Sequence, residues 1–383
     1  MGAPGKNAGS GVSHRTALDG LRAFAIIGVM LVHAGAPGFR SGWIGVDLFF
    51  VLSGFLITTL LAMESSASGS IAYAPFMVRR ALRLMPAYFL YAAFITLLLW
   101  FWPGSVRSQN SGWNAASFTA AIWTYTINFV PQGGVWNGQD LTVHLWSLAV
   151  EQQYYLVWPL VILALHSRPA VLRAVAVMLA VATTASFVLW PEGLYKNDML
   201  FTRGFSLVVA SALALWVFHD PALVRHRLFN RALDIVGALL LLGLAAAPYA
   251  PGWPESRMHE VFIPLLVPVF AFWIARLWNL AGDGWLRRLL QARSLVYIGK
   301  ISYGVYLYHE AIRVGVWFVM KPWMAHWPAS LGFVVRMAVY FLVSFALAAV
   351  SYELFEKKFL RLAGRFRPAR ARTERGDDGG SRN

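Results

Sequence analysis

The sequence predicts an all-α integral membrane protein, with about ten membrane-spanning helices around a central polar cavity and both termini cytoplasmic. Composition is the first reason: of 383 residues, 58% are hydrophobic and only 13% charged, with a mean hydropathy of +0.55. Soluble domains carry about 25% charged residues. The second reason is the recurrence of apolar runs long enough to cross a bilayer, which takes roughly 17 to 25 residues. The third is that lysine and arginine alternate between abundance and scarcity in successive loops, the asymmetry that marks the cytoplasmic side.

In chain order, the apolar runs place spans near residues 20–38, 44–62, 87–103, 145–165, 171–190, 203–218, 233–250, 261–278, 297–320 and 331–356. One alternating set of connections holds Arg79, Arg80 and Arg83, then Arg168 and Arg173, Arg225, Arg227 and Arg231, Arg287, Arg288 and Arg293, and the tail from Lys357 to Arg372. The opposite set holds only scattered Arg40, Arg107, Lys196, Arg257 and Lys321. A further apolar stretch at 115–131 would invert every later loop if it crossed, so it is read as re-entrant or interfacial on the outer side. Residues 1–14 are rich in Gly, Ser and Ala, and residues 364–383 in Arg, Gly and Asp. Neither end can bury a core, and both are expected to be disordered. Residues 15–363 are left as one polytopic domain.

The formal charge of +15 does not point to nucleic acid, because the basic residues lie between apolar segments rather than on one folded surface. Zero cysteines exclude a disulfide framework, a thiolate nucleophile and cysteine-ligated zinc. No His or acid spacing marks a metal, and no Gly-rich phosphate loop is present. No metal is therefore expected.

Ionisable residues inside a bilayer are costly and by default functional. Arg22 and His33 stand eleven residues apart in the first span, which puts them about 20° apart around a helix and roughly 16 Å apart along it. They share one face and are expected to enter one passage running from the cell interior toward the far leaflet. With the predicted orientation, Arg22, Arg79, Arg80, Arg83 and Lys300 form a basic inner vestibule. Such a vestibule suits a carboxylate, phosphate or pyrophosphate, which arginine binds bidentately. The three loop arginines would equally satisfy the positive-inside rule alone. The outer half collects His33, Asp47, Glu151, His309 and Glu310, with His144, Ser147 and Glu151 lining one helix face. A carboxylate beside an imidazole is the arrangement of a general base. Asp47, His309 and Trp136 are expected to meet a substrate. Trp113, Trp123 and Tyr125 share the outer stretch with Trp136, and all four fit either sugar stacking or an interfacial aromatic belt. Ser53 lacks the strand-to-helix setting of a nucleophilic serine, and Arg313, Glu353 and Glu356 read as helix-end ion pairs or lipid-facing snorkels.

Several segments together resemble the membrane acyltransferase family 3. They are the Arg22-x10-His33 segment, GVDLFFVLSGFLIT from Gly45 to Thr58, RALR from Arg80 to Arg83, WSLAVEQQYYLVWP from Trp146 to Pro159, ISYGVYLYH from Ile301 to His309 and SYELFEKKF from Ser351 to Phe359. Each pattern is weak alone, and their joint order is specific. The resemblance implies a multi-pass enzyme of the bacterial inner membrane. Such an enzyme moves an acyl group, most often acetyl, from cytoplasmic acyl-CoA (acetyl-CoA) to a hydroxyl of a glycan, glycolipid or glycoside. It implies that Arg22 and His33 are the activity-critical pair, that Arg80 and Arg83 handle acyl-CoA, and that Glu151 is the family's acid in the fourth span. Where the family often has two consecutive acids, Gln152 follows Glu151 here. The chain resembles stand-alone members without an esterase-like domain. The mechanism expected is direct attack, with His33 removing the acceptor's proton, and an acyl-His33 intermediate is its rival. A proton-coupled transporter or lipid-linked glycan flippase would also place histidines and carboxylates in the outer half and arginines inside.

Overall fold

The structure is a computed structural model that describes residues 10–101, 115–130, 141–190, 199–249, 255–279 and 284–366. Among these it is helical, with no strand. In chain order the helices are α1 (Ser10–His33), α2 (Ile44–Ser68), α3 (Tyr73–Phe101), α4 (Ala115–Trp123), α5 (Leu145–Leu165), α6 (Pro169–Leu189), α7 (Phe205–His219), α8 (Arg227–Ala246), α9 (Glu255–Asn279), α10 (Trp285–Leu290), α11 (Arg293–Met324), α12 (Ala329–Ser351) and α13 (Lys357–Ala363). The expected spans correspond to ten of them. Among the described residues, eight helices are long and apolar enough to cross a membrane. The other two of the ten are α7, which has only 15 residues, and α11, which carries Lys300, His309, Glu310 and Arg313 in its 32 residues. The protein is an all-α, multi-pass membrane protein. The stretch at 115–131 contributes α4, whose 9 residues rise only about 14 Å, against a hydrocarbon core of roughly 30 Å. Its Ile122 and Tyr125 pack into the core beside α3.

Small residues set the packing, because lipid supplies no hydrophobic drive between helices and close backbone approach must do so. A Cβ on Gly299 of α11 would lie 1.8 Å from the Asp19 carbonyl oxygen of α1, and one on Gly54 of α2 would lie 2.2 Å from the Leu207 carbonyl oxygen of α7. Both helix pairs therefore touch backbone to backbone. α7 is apolar all round and largely buried, as a helix without a polar face must be. Asp19 meets Gly299 near the starts of α1 and α11, and His33 meets Glu310 further along both. The two helices consequently run parallel, and their shared seam carries the polar residues.

Between α12 and α13 the chain makes a π-turn over Tyr352–Glu356. Glu353 pairs with Lys357 at the surface, as a helix-end ion pair should. Glu356 corrects the lipid-facing reading: it is 6% exposed and accepts a hydrogen bond from Ser351 Oγ at 3.0 Å, and Ser351 Oγ lies 2.9 Å from the Tyr308 hydroxyl. The wider π-turn ends on this inward-facing carboxylate.

Candidate active site

Two polar centres lie along the α1–α11 seam. The first is a cavity with about 820 Å³ of space, counting its solvent-open mouth. Arg22 from α1, Arg80 and Arg83 from α3, and Lys300 from α11 line it. Arg22 is held by Asp19 at 2.6 Å, one turn earlier on the same helix. The Arg80 guanidinium sits 5.4 Å from the Phe76 ring centre and 5.7 Å from that of Tyr155, a spacing at which an aromatic face holds a cation. Glu151 of α5 is the carboxylate of this wall, and both Ser53 and Tyr155 donate to its Oε1. Arg79, expected with the other arginines, is elsewhere. It donates to the Phe366 carbonyl at 2.6 Å and pairs with Glu64 at 3.4 Å, tying α3 to the end of the bundle.

The second centre forms around Glu310 of α11, which is fully buried. His33 Nε2 lies 3.3 Å and His309 Nε2 3.4 Å from its Oε1, while Arg313 Nε donates to Oε2 at 2.8 Å. The two rings meet edge to face, with centres 5.1 Å apart. His33 Nδ1 lies 2.8 Å from the Val29 carbonyl and His309 Nδ1 2.6 Å from that of Tyr306. A carbonyl only accepts, so both Nδ1 atoms carry hydrogen and both Nε2 atoms point their free sites at Glu310. The helix itself creates this arrangement, since Nδ1 reaches back three or four residues to a carbonyl of its own turn.

His144, Ser147 and Glu151 do share one face, and that face joins the centres. His144 lies against His309, with ring centres 5.0 Å apart. Ser147 Oγ meets the Tyr306 hydroxyl at 2.6 Å, and both lie within reach of the His144 carbonyl, at 2.9 and 3.2 Å, so one hydroxyl donates to the other and the second to the carbonyl. Arg22 lines the cavity and His33 does not, so the expectation of a single passage shared by the two is corrected. The Ser147–Tyr306 contact lies at the cavity wall, and His144 and the Glu310 centre lie beyond it.

Other expected positions fall outside both centres. Asp47 is fully buried, taking Arg203 Nη2 at 2.8 Å and Ser206 Oγ at 3.0 Å, so its carboxylate ties α2 to the start of α7. Trp123 stacks on Phe89 and Tyr125 on Tyr88, both as packing against α3. Trp113 and Trp136 lie outside the described residues. Sequence reasoning passed over Tyr155, Tyr306 and the pairing of Arg313 with Glu310. The only signals were spacings: Tyr155 stands four residues after Glu151 and Arg313 three after Glu310, both same-face intervals on a helix.

The bundle and its internal polar seam define a multi-pass membrane protein with ionisable groups facing one another across helices. Residues 15–353 match the family described as an acyltransferase domain, and the chain belongs to that family, as its motifs anticipated. The peptidoglycan O-acetyltransferase OatA of Listeria monocytogenes is 29% identical over 309 residues, covering 77% of this chain and 49% of that protein. The O-acetyltransferase OatA of Staphylococcus aureus is 31% identical over 312 residues, covering 78% of this chain and 50% of its own length. The chain thus spans about half the length of these curated relatives. No solved structure matches the chain.

Proposed function

We propose that the chain is an O-acyltransferase of the bacterial inner membrane, moving an acetyl group from cytoplasmic acetyl-CoA to a hydroxyl of a cell-envelope glycan or a glycoside. Family membership and the two O-acetyltransferase relatives support the reaction class. The observation that carries the reading is the pairing of centres: a cavity with four basic side chains is joined by one face of α5 to a cluster of imidazoles around a buried carboxylate. Phosphates of coenzyme A suit the first, through the guanidinium geometry that favours such groups. A hydroxyl that must lose its proton suits the second.

In this reading Arg22, Arg80, Arg83 and Lys300 bind the donor's charged head, and the Ser147–Tyr306 contact at the cavity wall parts to let its thioester arm reach the second centre. The acceptor hydroxyl loses its proton at the His33–Glu310–His309 centre. Its oxygen bonds to the acyl carbon, the carbon–sulfur bond breaks, and the sulfur leaves protonated as free CoA. The basic vestibule is on the cytoplasmic side, where acetyl-CoA is made.

The test uses purified protein in detergent with acetyl-CoA and candidate glycan acceptors. Release of free CoA with ester formation is expected. Substrate movement in proteoliposomes without CoA release would establish the transporter reading instead. His33→Ala should reduce acyl transfer by about 10²-fold or more, the usual loss with an acid–base group, with expression and monodispersity retained. Turnover at the unsubstituted level would remove His33 from the reaction.

A further inference from the structure

We infer that His33, His309 and Glu310 form a binding site for a divalent cation of the zinc class. One ligand atom from each of His33, His309 and Glu310 lies within 4.8 Å of the other two, and both Nε2 atoms stand 3.3–3.4 Å from Glu310 Oε1. Glu310 Oε1 and His309 Nε2 are buried and make no hydrogen bond, although both residues are fully buried. Unpaired buried polar atoms are rare because each costs its full desolvation.

The proton positions sharpen the point. Both Nδ1 atoms carry hydrogen, since each faces a carbonyl oxygen. Each Nε2 of a neutral ring is then a lone pair, and two lone pairs converge on a carboxylate oxygen, which is a third acceptor. Arg313 supplies a positive charge at Oε2, and on the Oε1 side the three converging acceptors call for a second one. A proton on either imidazole would draw nitrogen and oxygen to about 2.7–2.9 Å, the length of charge-assisted N–H···O bonds. The separations are 3.3 and 3.4 Å. Two ligands at zinc distances of roughly 2.0–2.1 Å in tetrahedral array are separated by about 3.3–3.4 Å. The lengths favour a metal over a shared proton.

The surroundings match that chemistry. Metal-bound histidines usually donate their other ring nitrogen to a carbonyl or carboxylate, which sets tautomer and ring direction. Both do so here. Arg313 holds the second Glu310 oxygen at 2.8 Å, leaving Oε1 as the ligand atom. Two imidazoles and one carboxylate are a ligand set of catalytic zinc sites, which keep a fourth position open. The His33 side chain is 29% exposed, and it is the member of the set that solvent reaches. No local motif betrays the site, because its ligands come from helices at opposite ends of the chain.

This inference rests on the acyltransferase reading and deepens it: the acceptor hydroxyl becomes the fourth ligand, and His33 and His309 hold the cation that activates it instead of taking its proton themselves. A cation bound there would stabilise the alkoxide and so make the hydroxyl a stronger acid. The O–H bond breaks with its proton passing to water, the alkoxide forms the ester bond, and the departing sulfur takes up one proton from water in exchange.

The test is metal analysis of the full chain purified in detergent without chelators, followed by chelation and reloading with cobalt(II). We expect about one equivalent of zinc per chain, and visible absorption bands of four-coordinate cobalt after reloading. Glu310→Gln and His309→Gln should each lose the bands while remaining monodisperse, and Glu353→Gln should keep them. Less than a tenth of an equivalent of any divalent metal (roughly, on the same scale) with no cobalt bands overturns the site. Chelated, metal-free protein that still transfers acetyl at the full rate also overturns it and leaves the acyltransferase standing. Cobalt bands in a protein that never releases CoA would sink the enzymatic reading and leave the metal site.

Discussion

Asp47 shows at the scale of one residue how a charge that sequence reasoning assigns to a substrate is used for packing. Its carboxylate is fully buried and engaged by Arg203 and Ser206, while the Arg203 guanidinium also lies against the Trp146 and Phe187 rings. Removing one partner of a buried pair leaves the other charge uncompensated, at a cost of about 3–5 kcal/mol. Asp47→Ala should therefore lower the thermal midpoint in detergent and reduce the yield of folded protein. Glu353→Gln, which breaks an exposed pair, should change neither. Equal behaviour of the two variants would show that burial of the Asp47 pair is not what gives it weight. Glu310 is the contrasting residue, since its buried carboxylate faces two ring nitrogens as well as an arginine.

At the scale of elements, the α1–α11 seam decides whether the centres exist. Gly299 allows the backbones to touch, and a methyl group there would meet the Asp19 carbonyl at 1.8 Å. Backbone cannot yield as a side chain does, so α11 would have to move. Gly299→Ala should cost about 1–3 kcal/mol, the range for overpacking a tight interior, and should depress acyl transfer beyond the stability loss because His33 and Glu310 sit on the two separated helices. Gly315 on the same α11 has nothing within 4 Å of an added Cβ. Gly315→Ala should leave activity unchanged and match or slightly exceed the parent in stability, since alanine is the better helix former by up to about 1 kcal/mol. Thermal unfolding alongside CoA release separates the two variants.

The whole molecule is arranged by which ends of the helices face which side. The absence of cysteine from the sequence permits a direct measurement. Lys300→Cys, at the cavity, should react with a membrane-impermeant maleimide only when the cytoplasmic face is exposed in inverted vesicles. Pro37→Cys, exposed in the turn after α1, should react in cells whose outer face is accessible. The reverse pattern would invert the orientation drawn from loop arginines and place the basic cavity on the side that lacks acetyl-CoA.

Helix existence, approximate limits and family were legible in the chain alone, because membrane-length hydropathy is a local property and the motifs occur in a fixed order. Even the shared face of His144, Ser147 and Glu151 followed from spacing within one helix. The partner of each polar group did not follow. Arg22 and His33 lie on one face of α1, yet they belong to different centres, because Tyr306 of α11 and Ser147 of α5 meet across the seam. Glu151 sits with arginines instead of histidines, and Asp47 finds Arg203 at a sequence separation of 156. Such pairings depend on how helices rotate and approach one another, which is set by glycine contacts and buried volume distributed over the entire bundle, and no window of sequence contains that information.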